Sequence, residues 1–335
     1  MRGLTEDVLG NLPKESEQVL EAIQNSFVPR NDRTTIEDYM SELVDWLSIL
    51  GRRKLRDSEN MAIGITSEKS FTIEQLEDAL VEVKKKVTGA IDKSGLDLST
   101  HRKFIDAVHR ISHAGKSIAG SSTSYFIMNY DTLIEDALGL EKITVADGFS
   151  AGATAWWDLA SYSNHDLQAK VYKLHGSIDW RQSSEGEFPH RPRKGVQASK
   201  TSEYGMIWPA ATKYRESQSD PYALLMDAFR HALRPKGQAD TVLLICGYSF
   251  SDAHINYEID QALRQLEQKL TVIAFTELDV PDGQLADWVN DDEVNGLVKV
   301  YGNKGFYHDG EVKESDAELP WWKFEVLTDL LGGKR

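Results

Sequence analysis

Ile36, Tyr39, Met40, Leu43, Trp46, Leu47 and Leu50 recur at steps of three and four residues. That spacing puts apolar side chains on one face of a helix. Thr35 stands where an N-cap belongs and Gly51 where a stop belongs, so a helix is predicted between them. A second helix is predicted from Thr72. Thr72 and Gln75 fit a capping box, Phe71 and Leu76 fit a hydrophobic staple, and Ile73, Leu76, Leu80, Val83 and Val87 continue one face up to Gly89. Phe104, Ile105, Val108 and Ile111 mark a further helix. All three stripes are read as core packing.

The pattern changes near residue 120, where Gly120-Ser121-Ser122-Thr123-Ser124 reads as a short flexible stretch. Beyond it, compact apolar runs at 125–128, 171–174, 241–246, 270–275 and 297–301 read as buried strands. Helical patterns fall between them, at 132–138 and on Ile255, Ile259, Leu263 and Leu266. Strands alternating with helices predict an α/β fold with a parallel sheet. The expected organisation is a mainly helical subdomain over 1–119, a Rossmann-like domain over 120–302 and a C-terminal tail over 303–335. Trp321, Trp322 and Phe324 in that tail are read as packing on the protein's own core, with a subunit contact as the alternative. The polar stretch 182–202 reads as a loop, and its basic run from His190 to Lys194 as a solvated part of it.

Composition narrows the function. The 335 residues carry 38 Lys and Arg against 53 Asp and Glu, a net charge of −15. Such a chain is a poor general binder of nucleic acid, because neutralising phosphates takes clustered Lys and Arg. The single cysteine, Cys246, rules out an intrachain disulfide and a cysteine-rich zinc module. It is read as a small buried hydrophobe. No window approaches the roughly 18 apolar residues of a membrane span. The first seven residues hold no apolar signal-peptide core, so a cytoplasmic location is expected.

In parallel sheets, ligands bind outside the carboxyl ends of the strands. Three strand ends carry polar groups: Asn129-Tyr130-Asp131, His175-Gly176-Ser177, and Gly247-Tyr248-Ser249-Phe250-Ser251-Asp252 with His254 and Asn256 beyond. Taken singly, Asn129 or Asp131 could cap the following helix, His175 could be a turn residue, and Ser251 or Asp252 could cap the helix after Gly247. Together they suit a polar, nucleotide-like ligand.

These segments resemble the bacterial sirtuin-like domain of antiphage defence proteins. The resemblance lies in residues 126–135, 173–180 and 246–256, with a weaker match at Ile207-Trp208-Pro209. It implies a Rossmann-like sheet flanked by helices that binds NAD+ as a substrate, with no permanently bound cofactor. By position, Asn129 would contact the nicotinamide ribose or the attacking water. Asp131 would hold the same loop or the nicotinamide side, and His175 would be the catalytic histidine. Gly247 and Ser249 would lie against the adenosine half, Asp252 would fix that loop or contact a ribose hydroxyl, and Tyr248 and Asn256 would join them in binding the cofactor.

The sequence departs from the family at three places. With one cysteine it lacks the zinc module of sirtuin deacylases, which favours NAD+ cleavage to nicotinamide and ADP-ribose over protein deacetylation. No Gly-Ala-Gly-type phosphate loop precedes Leu4, and Gly3-Leu4-Thr5 resembles the segment just downstream of that loop. The residues present are therefore expected to lack an inner strand and part of the diphosphate site, which would weaken hydrolysis. Met128 stands where the family often has a small polar residue, so a local change in the ribose pocket is expected.

The resemblance further implies an NAD+ glycohydrolase of an antiphage system, homo-oligomeric and controlled by a HerA-type hexameric ATPase. Three alternatives stand beside it. One is a module that binds NAD+ or ADP-ribose without cleaving it. Another is a scaffold for the ATPase. The last is a nuclease that recruits Asp131, Asp179, Asp252 and His254 as metal ligands.

Overall fold

The computed structural model describes residues 2–10, 12–26, 34–56, 62–64, 70–113, 122–164, 166–182, 187–193, 196, 203–208, 217–234, 240–265 and 269–333. Ten α-helices are described: α1 (Arg2–Leu9), α2 (Lys14–Ser26), α3 (Ile36–Leu55), α4 (Ile73–Ile91), α5 (Ser99–His113), α6 (Leu133–Leu140), α7 (Tyr222–Leu233), α8 (Ala253–Leu263), α9 (Gly283–Asn290) and α10 (Phe324–Leu331). The strands are β1 (Ala62–Gly64), β2 (Ser70–Thr72), β3 (Thr123–Ile127), β4 (Val145–Ala146), β5 (Phe149–Ala151), β6 (Ala155–Trp157), β7 (Ala169–Lys173), β8 (Gly176–Gln182), β9 (His190–Arg191), β10 (Glu203–Met206), β11 (Thr241–Ile245), β12 (Leu270–Phe275), β13 (Val298–Tyr301), β14 (Gly305–His308) and β15 (Glu311–Glu314). They fall into two compact units that interleave along the chain. The first holds Met1–Leu96, Met128–Asp131 and His175–Tyr222, and the second Asp97–Ile127, Thr132–Leu174 and Ala223–Arg335.

In the first unit, α1 to α4 enclose a continuous apolar core. The sequence stripes supply it: Ile36, Met40, Leu43 and Leu50 of α3 meet Leu76, Val83 and Val87 of α4, together with Ile23 of α2. Burying one such side chain contributes roughly 1.5–3 kcal/mol, which makes this face the main reason the helices hold their places. The capping box at α4 forms, with the Gln75 amide donating to Thr72 Oγ1 and the Thr72 amide donating to Gln75 Oε1. Both staple residues, Phe71 and Leu76, are buried. A similar box forms at α3, where the Thr35 amide donates to Asp38 Oδ2.

Neither expected glycine stop ends its helix. α3 continues through Gly51 to Leu55, and α4 through Gly89 to Ile91. A helical glycine costs only about 1 kcal/mol against alanine. In α3 the last turn is further supported by Arg52, Arg53 and Lys54, whose charges suit the negative end of the helix dipole. The loop expected over 182–202 also holds structure among its described residues. His190–Arg191 form β9, which pairs antiparallel with β8, and β10 pairs with β8 on an irregular register. Lys194 of the basic run lies outside the described residues, as do Gly120, Ser121, Pro209 and Leu266.

The second unit carries the parallel sheets that the alternating pattern predicts. β3 and β4 both pair parallel with β7. β11, β12 and β13 pair parallel in turn, and β14 and β15 extend that sheet antiparallel. Thr123 and Ser124, expected in a flexible stretch, form the start of β3. The residues after Tyr301 likewise continue the sheet. Trp321 stands edge-on to Tyr301 at 5.2 Å between ring centres, and Phe324 lies 5.0 Å from Phe104. On the other side of β3, Phe126 meets Phe229 of α7 at 4.9 Å, and Arg230 of the same helix bonds Glu258 of α8 at 2.8 Å. Cys246 is half-buried rather than buried, because it stands one residue beyond the end of β11. Burial raises its thiol pKa above the ordinary value. No helix among the described residues is long and apolar enough to cross a membrane.

Candidate functional site

Parallel pairing fixes where the first two motifs begin. Ile127 at the end of β3 lies opposite Lys173 at the end of β7, and the Leu174 amide donates to the Ile127 carbonyl at 2.9 Å. Both chains therefore leave the sheet at the same end, into Asn129-Tyr130-Asp131 and His175-Gly176-Ser177. Within the second unit, Lys173 and Glu135 form an ion pair at 3.4 Å, with the Lys173 side chain only 1% exposed.

The two turns belong to the first unit and are tied together there by Tyr130. Its carbonyl accepts the Ile178 amide at 2.8 Å and the Ser177 hydroxyl at 3.2 Å. Its hydroxyl donates to the Ile207 carbonyl at 2.6 Å, and the Ile207 amide donates back to the His175 carbonyl at 2.9 Å. One tyrosine thus anchors the Asn129–Asp131 turn, the start of β8 and the stretch holding Ile207. Sequence reasoning assigned Tyr130, Ser177 and Ile207 no role. The hydroxyl bond spans 77 residues of chain, so no local signal marks it.

Gly176 is required by this geometry. Its φ is +80°, and a Cβ there would drive into the Gly205 carbonyl oxygen and come within 2.9 Å of Met206 Cα. β8 and β10 approach closely only because no side chain intervenes. His175 is 4% exposed, Asp131 half-buried and Asn129 exposed. Neither Asn129 nor Asp131 stands at the N-cap position of α6. Thr132 occupies the N-cap position of α6, and its hydroxyl donates to Asp136 Oδ2 at 2.8 Å.

The third motif lies in the second unit, between β11 and α8. Gly247 turns the chain at φ +69°, and Phe250 adopts φ +57°, a conformation unusual for a bulky residue. Tyr248 and Asn256 brace this turn. The Tyr248 hydroxyl donates to Asn256 Oδ1 at 2.8 Å and to the Asp252 carbonyl at 3.1 Å, while Asn256 Nδ2 donates to the Phe250 carbonyl at 2.7 Å. Burial, then the nearby Asp252 carboxylate, pushes the Tyr248 phenol well above its ordinary pKa, so it stays a donor across the physiological range. Asp252 takes the N-cap position of α8 without a side-chain cap bond. Ser249 and Ser251 are exposed, with their hydroxyls 2.8 Å apart. The loop therefore presents a glycine, two hydroxyls and backbone amides, groups that suit ribose and phosphate oxygens.

The structure thus gathers the named residues into two groups, Asn129, Asp131 and His175 in one unit, and Gly247, Tyr248, Ser249, Asp252 and Asn256 in the other. Asp179, which the nuclease alternative requires, is ion-paired to Arg191 at 2.6 Å. Among the described residues no cluster of three or more His, Cys, Asp or Glu is placed to hold a metal ion. A charged cleft of about 440 Å³ lies beside α5 and α10. Its arginines are already engaged, Arg102 with Glu141 at 2.7 Å and Arg110 with the Gly332 carbonyl at 3.2 Å.

No curated protein matches the chain. The family model for the SIR2-like domain matches residues 123–295, a span that holds both groups of site residues. That span is just over half of the sequence, and the chain belongs to the SIR2-like domain family.

Proposed function

We propose that the chain is an NAD+ glycohydrolase that releases nicotinamide and ADP-ribose. Membership of the SIR2-like family supports NAD-related chemistry in general. The observation that carries the hydrolytic reading is the buried His175, whose turn is anchored with the Asn129–Asp131 turn on Tyr130.

In the reaction, the bond between ribose C1′ and the pyridinium nitrogen breaks, and its electron pair goes to the nitrogen. Nicotinamide leaves neutral, because the nitrogen it departs on is cationic. Positive charge develops on the ribose as water approaches C1′. The Asn129 amide orients that water. His175 takes a proton from the water or from a ribose hydroxyl, since an imidazole titrates near neutral pH. Asp131 holds the same loop or the nicotinamide side. Gly247 and Ser249 lie against the adenosine half, in a loop that Tyr248, Asp252 and Asn256 complete. NAD+ is consumed as substrate, and the scheme calls for neither a resident cofactor nor zinc.

The proposed setting is antiphage defence in the cytoplasm, where NAD+ loss halts phage replication. Activity would be held silent until the chain assembles as a homo-oligomer with a HerA-type hexameric ATPase. The test is incubation of the purified protein with NAD+, with and without the ATPase. Nicotinamide and ADP-ribose formed in equal amounts support the proposal, and dependence on the ATPase supports control by assembly. Intact NAD+ under both conditions overturns it in favour of a binding or scaffold role.

A further inference from the structure

The Gly247–Asp252 loop holds an uncommon backbone. Phe250 is a bulky residue at φ +57°. Such a conformation is strained and persists only where its surroundings over-determine it. The surroundings are visible. The Phe250 ring packs 4.7 Å from Tyr248 and stands edge-on to Trp288 at 6.0 Å. Trp288 is fully buried, and its indole donates to Asp260 Oδ1 at 3.1 Å, a carboxylate also held by Arg264. This side of the clamp is therefore rigid.

The backbone side of the clamp is Asn256. It is 5% exposed and sits on α8, a regular helix. Its oxygen accepts the Tyr248 hydroxyl, and its nitrogen donates to the Phe250 carbonyl. The amide thus bonds the loop on both sides of Ser249, the residue whose exposed hydroxyl pairs with that of Ser251. An amide engaged in this way fixes the loop from beneath.

We propose that Asn256 is a positioning residue, which holds the Gly247–Asp252 loop in its nucleotide-ready shape before any nucleotide arrives. It acts on the ligand through Tyr248 and Phe250 and makes no direct contact. This rests on the reading of the loop as the adenosine half of an NAD+ site. Preorganisation of this kind lowers the ordering cost of binding.

The test has two arms, on the wild type, Asn256→Ala, Asn256→Asp, Tyr248→Phe and Ser249→Ala. One arm measures amide hydrogen exchange across 247–252 without ligand. The other measures ADP-ribose affinity by calorimetry. Asn256→Asp keeps the acceptor for Tyr248 and loses the donor to Phe250, so it isolates one bond. Asn256→Ala, Asn256→Asp and Tyr248→Phe should each speed loop exchange and weaken ADP-ribose about tenfold, the effect of stranding one buried hydrogen-bond partner. Ser249→Ala should weaken binding with loop exchange unchanged.

Unchanged exchange in both Asn256 variants would overturn the positioning role. So would faster exchange with full affinity. A wild type that does not bind ADP-ribose would overturn the nucleotide reading on which the role rests. That failure is recognisable because the exchange arm involves no nucleotide.

Discussion

The Lys173 ammonium lies 3.4 Å from Glu135 Oε1, and the pair joins the strand that leads to His175 with the helix that follows Asp131. Lys173 is 1% exposed and Glu135 15%, so the charges are shielded from solvent. Removing one member of a buried pair strands the other, at a cost of about 3–5 kcal/mol. Glu135→Ala should therefore lower unfolding free energy by about that amount in urea titrations. Glu135→Leu combined with Lys173→Met should recover most of the loss, since a well-packed apolar pair is often neutral or better. A Glu135→Ala variant of wild-type stability would show that the pair carries nothing.

Gly176 and Gly247 both take positive φ, yet substitution should affect them differently. A Cβ at Gly176 meets β10 backbone, whereas a Cβ at Gly247 meets nothing within 4 Å. Gly176→Ala should cost about 3 kcal/mol or more, from strain and displacement together. Gly247→Ala should cost about 1 kcal/mol, the conformational part alone. Equal losses in thermal unfolding would contradict this account of the His175–Gly176 turn.

Much of this arrangement could be read in the residues themselves. The apolar stripes on α3 and α4 were legible because helix periodicity and burial agree, with only Leu47 and Leu80 partly buried. β11 and β12 were legible because both are short apolar runs rich in β-branched and aliphatic side chains. The helix ends at Gly51 and Gly89 were misplaced because a local stop signal of about 1 kcal/mol was outweighed by the basic last turn of α3 and by the packing of Ile91 at the end of α4. β8 and β10 were hidden because their pairing joins Gly176–Gln182 to Glu203–Met206 across an intervening polar stretch, with a glycine at the closest approach. For the same reason Asn129 and His175 stood out as residue types at strand ends, while Tyr130 and the Asn256 bracing did not. Their partners are distant backbone carbonyls or side chains that no short motif contains.

Tyr130→Phe removes one oxygen and leaves the Ile207 carbonyl without that donor. The expected cost is about 1–2 kcal/mol in unfolding free energy. Because Ile207 also bonds His175, the variant should lose turnover more than affinity for ADP-ribose. A variant with unchanged turnover would remove Tyr130 from the site's support.

Burial raises the phenol pKa of both Tyr125 and Tyr248 above the ordinary value of 10.0. The unfolded chain therefore releases these protons first as pH rises. Their contribution to stability is fully present below pH 10 and is lost progressively above it. Unfolding free energy should fall from pH 10 upward, and the fall should be shallower in Tyr125→Phe and Tyr248→Phe. An identical slope in wild type and variants would contradict the assignment.

The central claim is tested most directly by nicotinamide release from NAD+ by the purified wild type. His175→Ala and Asn129→Ala are compared with it at matched folded content, verified by circular dichroism and thermal unfolding. The account predicts that each variant keeps its fold and loses release by at least a hundredfold, the scale of positioned proton transfer and water orientation. Full release by both variants would contradict it.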